Sequence, residues 1–224
     1  GPLRVTSHNS DSRRGNTSQS AGRVRELCRT PEIYGAQAVT SYQNVDFRRS
    51  VFMVRGRYFV IIDEVEGAKT HEYSWLLHGN SLEMTYAAPD GAHWAIGPTR
   101  LAAHVLLPTN APWRHLKGGG AAKNDAGDRI PADHMCLRAW TSGRTARFVS
   151  VLVPDKADTP PPQLRVAASE PVAVSIHTGE SPAPELFIWK PQGGRARVRG
   201  LGAFVLNGPA GVFPLPARRK KKGD

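Results

Sequence analysis

Short runs of β-branched and aromatic residues, separated by glycine and proline, dominate this 224-residue chain. No stretch shows the 3.6-residue apolar period of an amphipathic helix. Residues 57–65 (RYFVIIDEV) are rich in apolar β-branched and aromatic residues, which predicts a central strand covered on both faces. Further strands are predicted at residues 47–54, 71–78, 101–107, 135–140 and 146–153, with five shorter ones between 163 and 206. About a dozen strands and no helix predict an all-β fold, a large antiparallel β-sandwich.

Composition divides the chain into three parts. Residues 1–23 are rich in Ser, Asn and Arg, and we expect a polar N-terminal segment whose residues 1–3 resemble the remnant of a cleaved tag. Residues 24–216 are expected to form the sandwich as one domain, and residues 217–224 a basic disordered tail. Within the sandwich, residues 108–134 have little apolar spacing, which predicts a long surface loop beside a binding cleft.

The chain is basic, with 30 Lys and Arg against 19 Asp and Glu and a formal net charge of +11. Such a balance suits an anionic partner, and it also serves solubility. The cationic residues are scattered and no nucleic-acid-binding motif is present, so we do not expect a nucleic-acid partner. No apolar run approaches the ~18–20 residues of a membrane span, so no membrane-spanning segment is expected.

Cysteine and histidine spacing restricts the chemistry further. Cys28 and Cys136 are compatible with one disulfide or with two buried free thiols. No two histidines stand at the H-x-H or H-x-x-x-H spacing of a compact metal site. His71 and His78, seven residues apart, are predicted on opposite faces of a regular strand.

One arginine and one tryptophan are candidates for substrate contacts. Arg48 and Arg49 open the strand before Asp63, and one of the two is expected to form an ion pair with Asp63 across the hairpin. Arg48 is the candidate for a substrate contact, against the alternative of a salt-bridged sheet edge. Trp113 is the second candidate, because tryptophan rings pack on the CH faces of sugars; its alternative is a place in the core.

Several segments together resemble the C-terminal β-sandwich of the heparinase II/III-like polysaccharide lyases. They are FRRSVF at 47–52, YFVIIDEV at 58–65, HEY at 71–73, Leu77-His78, FVSVLVP at 148–154, and SHNS at 7–10 with Gly15 and Gln19. The similarity extends over roughly residues 4 to 154. The resemblance implies an all-β supersandwich that supports a separate, catalytic α/α toroid.

The resemblance also implies a reaction and a set of partners. Members cleave acidic polysaccharides such as glycosaminoglycans or alginate by β-elimination on a uronic acid, and several hold a structural zinc in the sandwich. His8 matches a metal-ligand position of the family, and His8 and His78 are the catalytic candidates within this chain. A periplasmic or extracellular location follows from the same resemblance.

The chain also departs from the family pattern. It has no room for a toroid beside the sandwich, and the upstream HxHxD segment is missing, so this chain alone is expected to be inactive and to bind no zinc. We therefore carry two hypotheses. One is the β-sandwich portion of a polysaccharide lyase; the alternative is a non-catalytic carbohydrate-binding or structural module.

Overall fold

The computed structural model describes residues 4–6, 22–42, 44–79, 84–85, 91–123, 126–179 and 181–215. In this part of the chain every regular element is a strand, and no helix long and apolar enough to span a membrane is found there. The strands are β1 Arg4–Thr6, β2 Arg23–Arg29, β3 Ile33–Tyr42, β4 Val45–Val54, β5 Tyr58–His78, β6 Met84–Thr85, β7 Gly91–Ile96, β8 Thr99–Leu107, β9 Trp113–Lys123, β10 Arg129–Lys156, β11 Gln163–Ser169, β12 Val172–His177, β13 Glu185–Trp189, β14 Gly194–Val198, β15 Gly202–Leu206 and β16 Ala210–Pro214.

The strands form one large sheet and two smaller ones, which confirms the predicted all-β, antiparallel fold. The ten-stranded sheet has the order β2-β3-β4-β5-β10-β8-β7-β6, with β1 beside β5 and β9 beside β10. The second sheet has the order β11-β12-β13-β16, and β14 pairs with β15. Among the described strands, the short β1–β5 pair is parallel and the other pairs are antiparallel.

Two long strands, β5 and β10, run through the centre of the large sheet and pair from Phe59–Leu152 to His78–Cys136. We call the part containing residues 58–66 and 145–156 the proximal half, and the part containing residues 71–78 and 129–143 the distal half. On its other side, β10 pairs with β8 in the proximal half and with β9 in the distal half. The prediction that residues 57–65 lie in a strand at the centre of the sheet is therefore confirmed.

A bulge separates the two halves. Gly143 pairs with His71 and Thr145 with Glu66, so that residues 67–70 of β5 face only Arg144 of β10. Bulges of this kind bend a strand and increase its twist. A Cβ atom at Gly67 would lie 2.7 Å from both the His71 ring and the Tyr73 hydroxyl. A side chain at position 67 would therefore have to displace the His71 ring and the Tyr73 hydroxyl, which donates a 3.1 Å hydrogen bond to the Arg144 carbonyl beside it.

The structure corrects two expectations about element boundaries. The predicted strands 57–65 and 71–78 are one strand, as are 135–140 and 146–153, because the glycines between them lie in the bulge instead of in turns. The expected loop at 108–134 is wrong. Most of it is β9 and the start of β10, which pair as a hairpin. The Gly118–Gly120 run hides the strand alternation, yet its backbone groups pair with residues 132–134.

The main core lies between the proximal half and the four-stranded sheet. Val60 and Ile62 of β5 point into it and are fully buried. Phe52 of β4 contacts Phe187 of β13, with 5.3 Å between their ring centroids. Ion pairs join the same two layers, since the buried Glu185 carboxylate accepts hydrogen bonds from Arg55, Arg57 and the Tyr58 hydroxyl. Burial raises the pKa of the Tyr58 hydroxyl, and the neighbouring Glu185 carboxylate raises it further, so this hydroxyl stays protonated.

A second core lies on the opposite face of the large sheet. Tyr73 and Trp75 of β5, Leu137 of β10 and Trp94 of β7 are buried together there. Trp94 occupies the space that a side chain at position 79 would need, which explains the glycine at that position. A third, smaller core packs β14 and β15 against the four-stranded sheet.

Alternation along β5 gives a matched pair of stability variants. Ile62 is fully buried in the main core, whereas its neighbour Ile61 is only partly buried beside the second. Ile62→Ala should lower the free energy of unfolding by about 2–5 kcal/mol, the usual range for a core isoleucine, and Ile61→Ala by clearly less. Equal shifts of the urea midpoint for the two variants would contradict the assignment of faces.

Candidate functional site

The distal half carries a row of polar and aromatic side chains on the face opposite the second core. We call it the outer face. Cross-strand partners lie on the same face of a sheet, and the register pairs Cys136 with His78, Arg138 with Leu76, and Trp140 with Ser74. Arg138 and Cys136 pair in turn with Arg114 and Leu116 of β9. The outer face thus comprises Glu72, Ser74, Leu76, His78, Arg114, Leu116, His134, Cys136, Arg138 and Trp140.

Two histidines from neighbouring strands meet at one end of the outer face. His78 Nδ1 lies 2.7 Å from His134 Nε2, a hydrogen-bond distance, and the ring centroids are 4.9 Å apart. The His78 side chain is exposed and that of His134 is half-buried. On its other side, His78 Nε2 lies 3.9 Å from the Cys136 sulfur. An exposed, hydrogen-bonded imidazole pair can accept and release a proton.

The other end of the outer face holds two arginines and a tryptophan. Arg138 is buried, donates 3.0 Å and 2.6 Å hydrogen bonds to Ser74 and Glu72, and lies over the Trp140 ring at 4.7 Å. Arg114 is exposed and lies over the same ring at 5.7 Å. Guanidinium groups bind carboxylate and sulfate oxygens, and indole rings stack on sugars, so this end can hold an anionic sugar.

Trp113, predicted as a substrate contact, does not lie on the outer face. It is half-buried against the second core, and its ring contacts His115 at 5.4 Å between centroids. His71 is buried on that side too, which confirms the prediction that His71 and His78 lie on opposite faces.

Arg48, the other predicted substrate contact, lies in the proximal half, away from the His78 end. Its guanidinium is 3.4 Å from Glu64, which also binds Arg147. Arg48 remains half exposed and, with Arg147, lines a groove of about 570 Å³ that also contains Asp46 and Glu66. The predicted ion pair to Asp63 is confirmed and belongs to Arg49, which makes two hydrogen bonds of 2.5 and 2.9 Å.

The cysteines are free thiols in this structure and form no disulfide with each other. Burial is the main cause that raises the pKa of Cys136 to about 11. This thiol is therefore protonated at neutral pH, which makes it a poor nucleophile and a poor metal ligand.

His8, predicted as a catalytic residue and metal ligand, lies outside the described residues. The described strand β1 ends two residues before it, beside Glu72–Ser74 of β5. Within the described residues, no three His, Cys, Asp or Glu side chains are grouped to hold a metal ion. The described residues therefore do not make a zinc site by themselves.

Sequence reasoning found His78 but missed the residues that accompany it. His134, Cys136, Arg138 and Trp140 alternate along one strand, and this period of two was a usable signal. The polar and glycine-rich composition of residues 108–134 obscures this signal, because it predicts a loop that includes His134 and leaves Arg114 without a strand. The pairing of β5 with β10 could not be derived from either strand alone.

The large antiparallel sheet packed on a four-stranded sheet defines the chain as a β-sandwich protein, and a family comparison identifies the family to which it belongs. The family description "Heparinase II/III-like, C-terminal" matches residues 5–167. The chain therefore belongs to the heparinase II/III-like family, to which its sequence segments pointed. No curated protein matches the chain significantly in sequence.

Solved structures of similar fold carry related names. The heparan sulfate lyase HepC from Pedobacter heparinus, in a mutant form, is 14% identical with a TM-score of 0.61; the match covers 75% of this chain and 27% of that one. The heparinase III BT4657 gene product is 19% identical with a TM-score of 0.57, and the match covers 70% of this chain and 26% of that one. The chain thus spans about a quarter of these proteins, and the likeness establishes the fold.

A buried histidine pair outside the outer face should make stability depend on pH. His93 and His104 lie on neighbouring strands, and their ring centroids are 5.9 Å apart. Burial is the main cause that lowers the pKa of His93 to about 4, and the charges of His104 and Arg100 lower it further. Because an unfolded histidine titrates near pH 6.5, His93 contributes stability above that pH and loses it as the pH falls toward 4.

We expect the urea midpoint to decline between pH 6.5 and 4, and the decline to be shallower in His93→Gln. The midpoint of each protein is read by tryptophan fluorescence across this range. Parallel curves for the two proteins would show that other groups cause the decline.

Proposed function

We propose that this chain is the β-sandwich portion of a polysaccharide lyase that cleaves acidic, uronic-acid-containing polysaccharides by β-elimination. An α/α toroid in the same protein would complete the active site. Heparan sulfate, other glycosaminoglycans and alginate are the candidate substrates, and the periplasm or the outside of the cell is the proposed location. Family membership supports the proposal, as do the names of the similar solved structures.

The observation that carries the proposal is the composition of the outer face. β-Elimination needs a base for the C5 proton, an acid for the leaving oxygen, and cationic groups that stabilise the uronate carboxylate as charge develops. The outer face has an imidazole pair on β5 and β10 at one end, suited to proton transfer, and a guanidinium pair on β9 and β10 at the other, suited to binding a further anionic sugar of the same polysaccharide. A cationic group at the reacting carboxylate itself would come from another part of the complete protein. The basic net charge of +11 would also draw a polyanion toward the chain.

His78 is the proposed proton-transfer residue and His134 its positioning partner. In the His78 Nδ1–His134 Nε2 hydrogen bond one nitrogen must donate and the other accept, so the tautomer of one ring determines that of the other. His78 is the more exposed of the two and is therefore the ring that a substrate can reach. Tyr58, in contrast, is buried and bonded to Glu185, a structural position.

The alternative is a non-catalytic carbohydrate-binding or structural module. It is favoured by one observation, that the Arg114–Trp140 end of the outer face is suited to holding an anionic sugar without any chemical step. The two proposals differ in what the complete protein does to an acidic polysaccharide.

The activity test compares this chain with the protein that carries both sandwich and toroid. The chain alone should release no unsaturated uronate from heparin, heparan sulfate, chondroitin or alginate, whereas the complete protein should release it from at least one. In the complete protein, His78→Ala should lower kcat by about 10²–10⁴-fold, the usual contribution of a general acid or base. Product formation is followed by its ultraviolet absorbance.

His177→Ala provides the matched control, because this histidine lies on β12 in the other sheet. Unchanged kcat in His78→Ala would reject the role of His78. A complete protein that binds but never cleaves these polysaccharides would support the module instead.

We also propose that His8 binds zinc in the complete enzyme, as its match to the family position implies. In that protein, His8→Ala should lower the zinc content per chain and the melting temperature, since a ligand that binds only the folded state stabilises it. In this chain alone the substitution should change neither quantity, because a zinc site needs three or four converging ligands. Full zinc occupancy in the complete His8→Ala protein, measured by elemental analysis, would reject the ligand role.

A further inference from the structure

Two guanidinium groups lie against the Trp140 ring, and they differ in their surroundings. Arg138 is buried, and its charge is balanced by Glu72 at 2.6 Å. Arg114 is exposed, and among the described residues it contacts the Trp140 ring and forms no ion pair with a carboxylate. One arginine is thus part of the structure, while the other presents an unbalanced charge to solvent.

Stacking on the ring prepares Arg114 for a ligand. A guanidinium group held over an aromatic face loses less freedom when it binds, and its N–H edges stay available for two parallel hydrogen bonds to a carboxylate or sulfate. Trp140 is half-buried, and its ring lies against the buried Arg138 guanidinium at 4.7 Å, which restricts the movement of the ring. Charge and ring together match a sugar that carries an anionic group.

We propose that Arg114 and Trp140 form a binding subsite for one anionic sugar of an acidic oligosaccharide. Arg114 binds the carboxylate or sulfate, Trp140 packs against the ring, and Arg138 fixes the position of Trp140 from below the surface. This inference rests on the proposed function for the identity of the ligand, and it adds the residues that select it.

The position of the subsite also predicts how an oligosaccharide runs along the sheet. His134, Cys136, Arg138 and Trp140 occupy alternate positions of β10 on one face. At about 3.3 Å per residue, His134 and Trp140 are roughly 20 Å apart along the strand. A chain of several sugars bound at Trp140 and following β10 would reach the His78–His134 pair, so the subsite would hold the substrate at a distance from the reacting bond.

The experiment measures binding to this chain itself by calorimetry, and therefore does not depend on cleavage. The probes are a heparin hexasaccharide with carboxylates and sulfates, an alginate hexasaccharide with carboxylates only, and neutral cellohexaose. We expect binding of the first two, or of the sulfated one alone if sulfate is the group recognised, and none of cellohexaose. Arg114→Ala should weaken binding at least about tenfold, since hydrogen bonds between charged groups are lost.

Three further variants separate charge from geometry. Arg114→Lys keeps the charge without the planar fork and should bind with intermediate affinity. Trp140→Leu should weaken binding several-fold with little effect of salt, because a neutral contact is lost. Arg197→Ala removes an exposed arginine from β14, in a different sheet, and should bind like the unchanged chain. Melting temperatures confirm that each variant is folded.

The outcomes separate the subsite from the lyase proposal. Equal affinity of Arg114→Ala and Arg197→Ala for the hexasaccharides would reject the subsite. A single-stranded DNA oligonucleotide that binds as tightly as the hexasaccharides would also reject it, and so would a chain that binds no hexasaccharide. None of these results bears on cleavage by the complete protein. Conversely, a complete protein that never cleaves would reject the lyase proposal and leave an Arg114-dependent binding result standing.

Discussion

The pairing of β5 with β10 is the interaction on which the rest of the structure depends. These strands stay together from Phe59–Leu152 to His78–Cys136, and each neighbouring strand of the large sheet is added to one of them. In the proximal half their alternating side chains enter the main core against the four-stranded sheet. In the distal half the same alternation sends Tyr73, Trp75 and Leu137 into the second core. The polar residues between them are left on the outer face, so one strand pair supplies both the core and the candidate site.

The candidate site is thus a result of register. His78 meets His134, and Arg138 reaches Glu72 and Ser74, because β10 is aligned with β5 over both halves. A shift of one residue would turn the histidines toward the second core and the leucines toward solvent. The apolar side chains of Trp75 and Leu137, which are buried at 2% and 0% exposure, prevent such a shift. Stability of the core and geometry of the outer face are therefore fixed by the same contacts.

Much of the fold could be predicted from the sequence, and less of the site. The apolar run at 57–65 predicted a central strand because such a run needs cover on both faces, and the Arg49–Asp63 pair followed from the hairpin. The strand at 113–123 could not be recognised, since its glycines carry no side chains to show alternation. His78 was a candidate by resemblance, whereas His134 meets it only through the pairing of β10 with β5, strands far apart in sequence. Arg114 joins the outer face through the β9–β10 hairpin, whose alternation the glycines at 118–120 hide.

The bulge at Gly67 has a consequence for how sequences of this fold can diverge. The His71 ring and the Tyr73 hydroxyl fill the space that a side chain at position 67 would need. A larger residue at 67 thus requires the side chains at 71 and 73 to move or to be smaller. Because Tyr73 also holds the Arg144 carbonyl, such an exchange would alter the bend as well. The three positions form a coupled set, and relatives that lack the glycine should differ from this chain in how their distal half is angled.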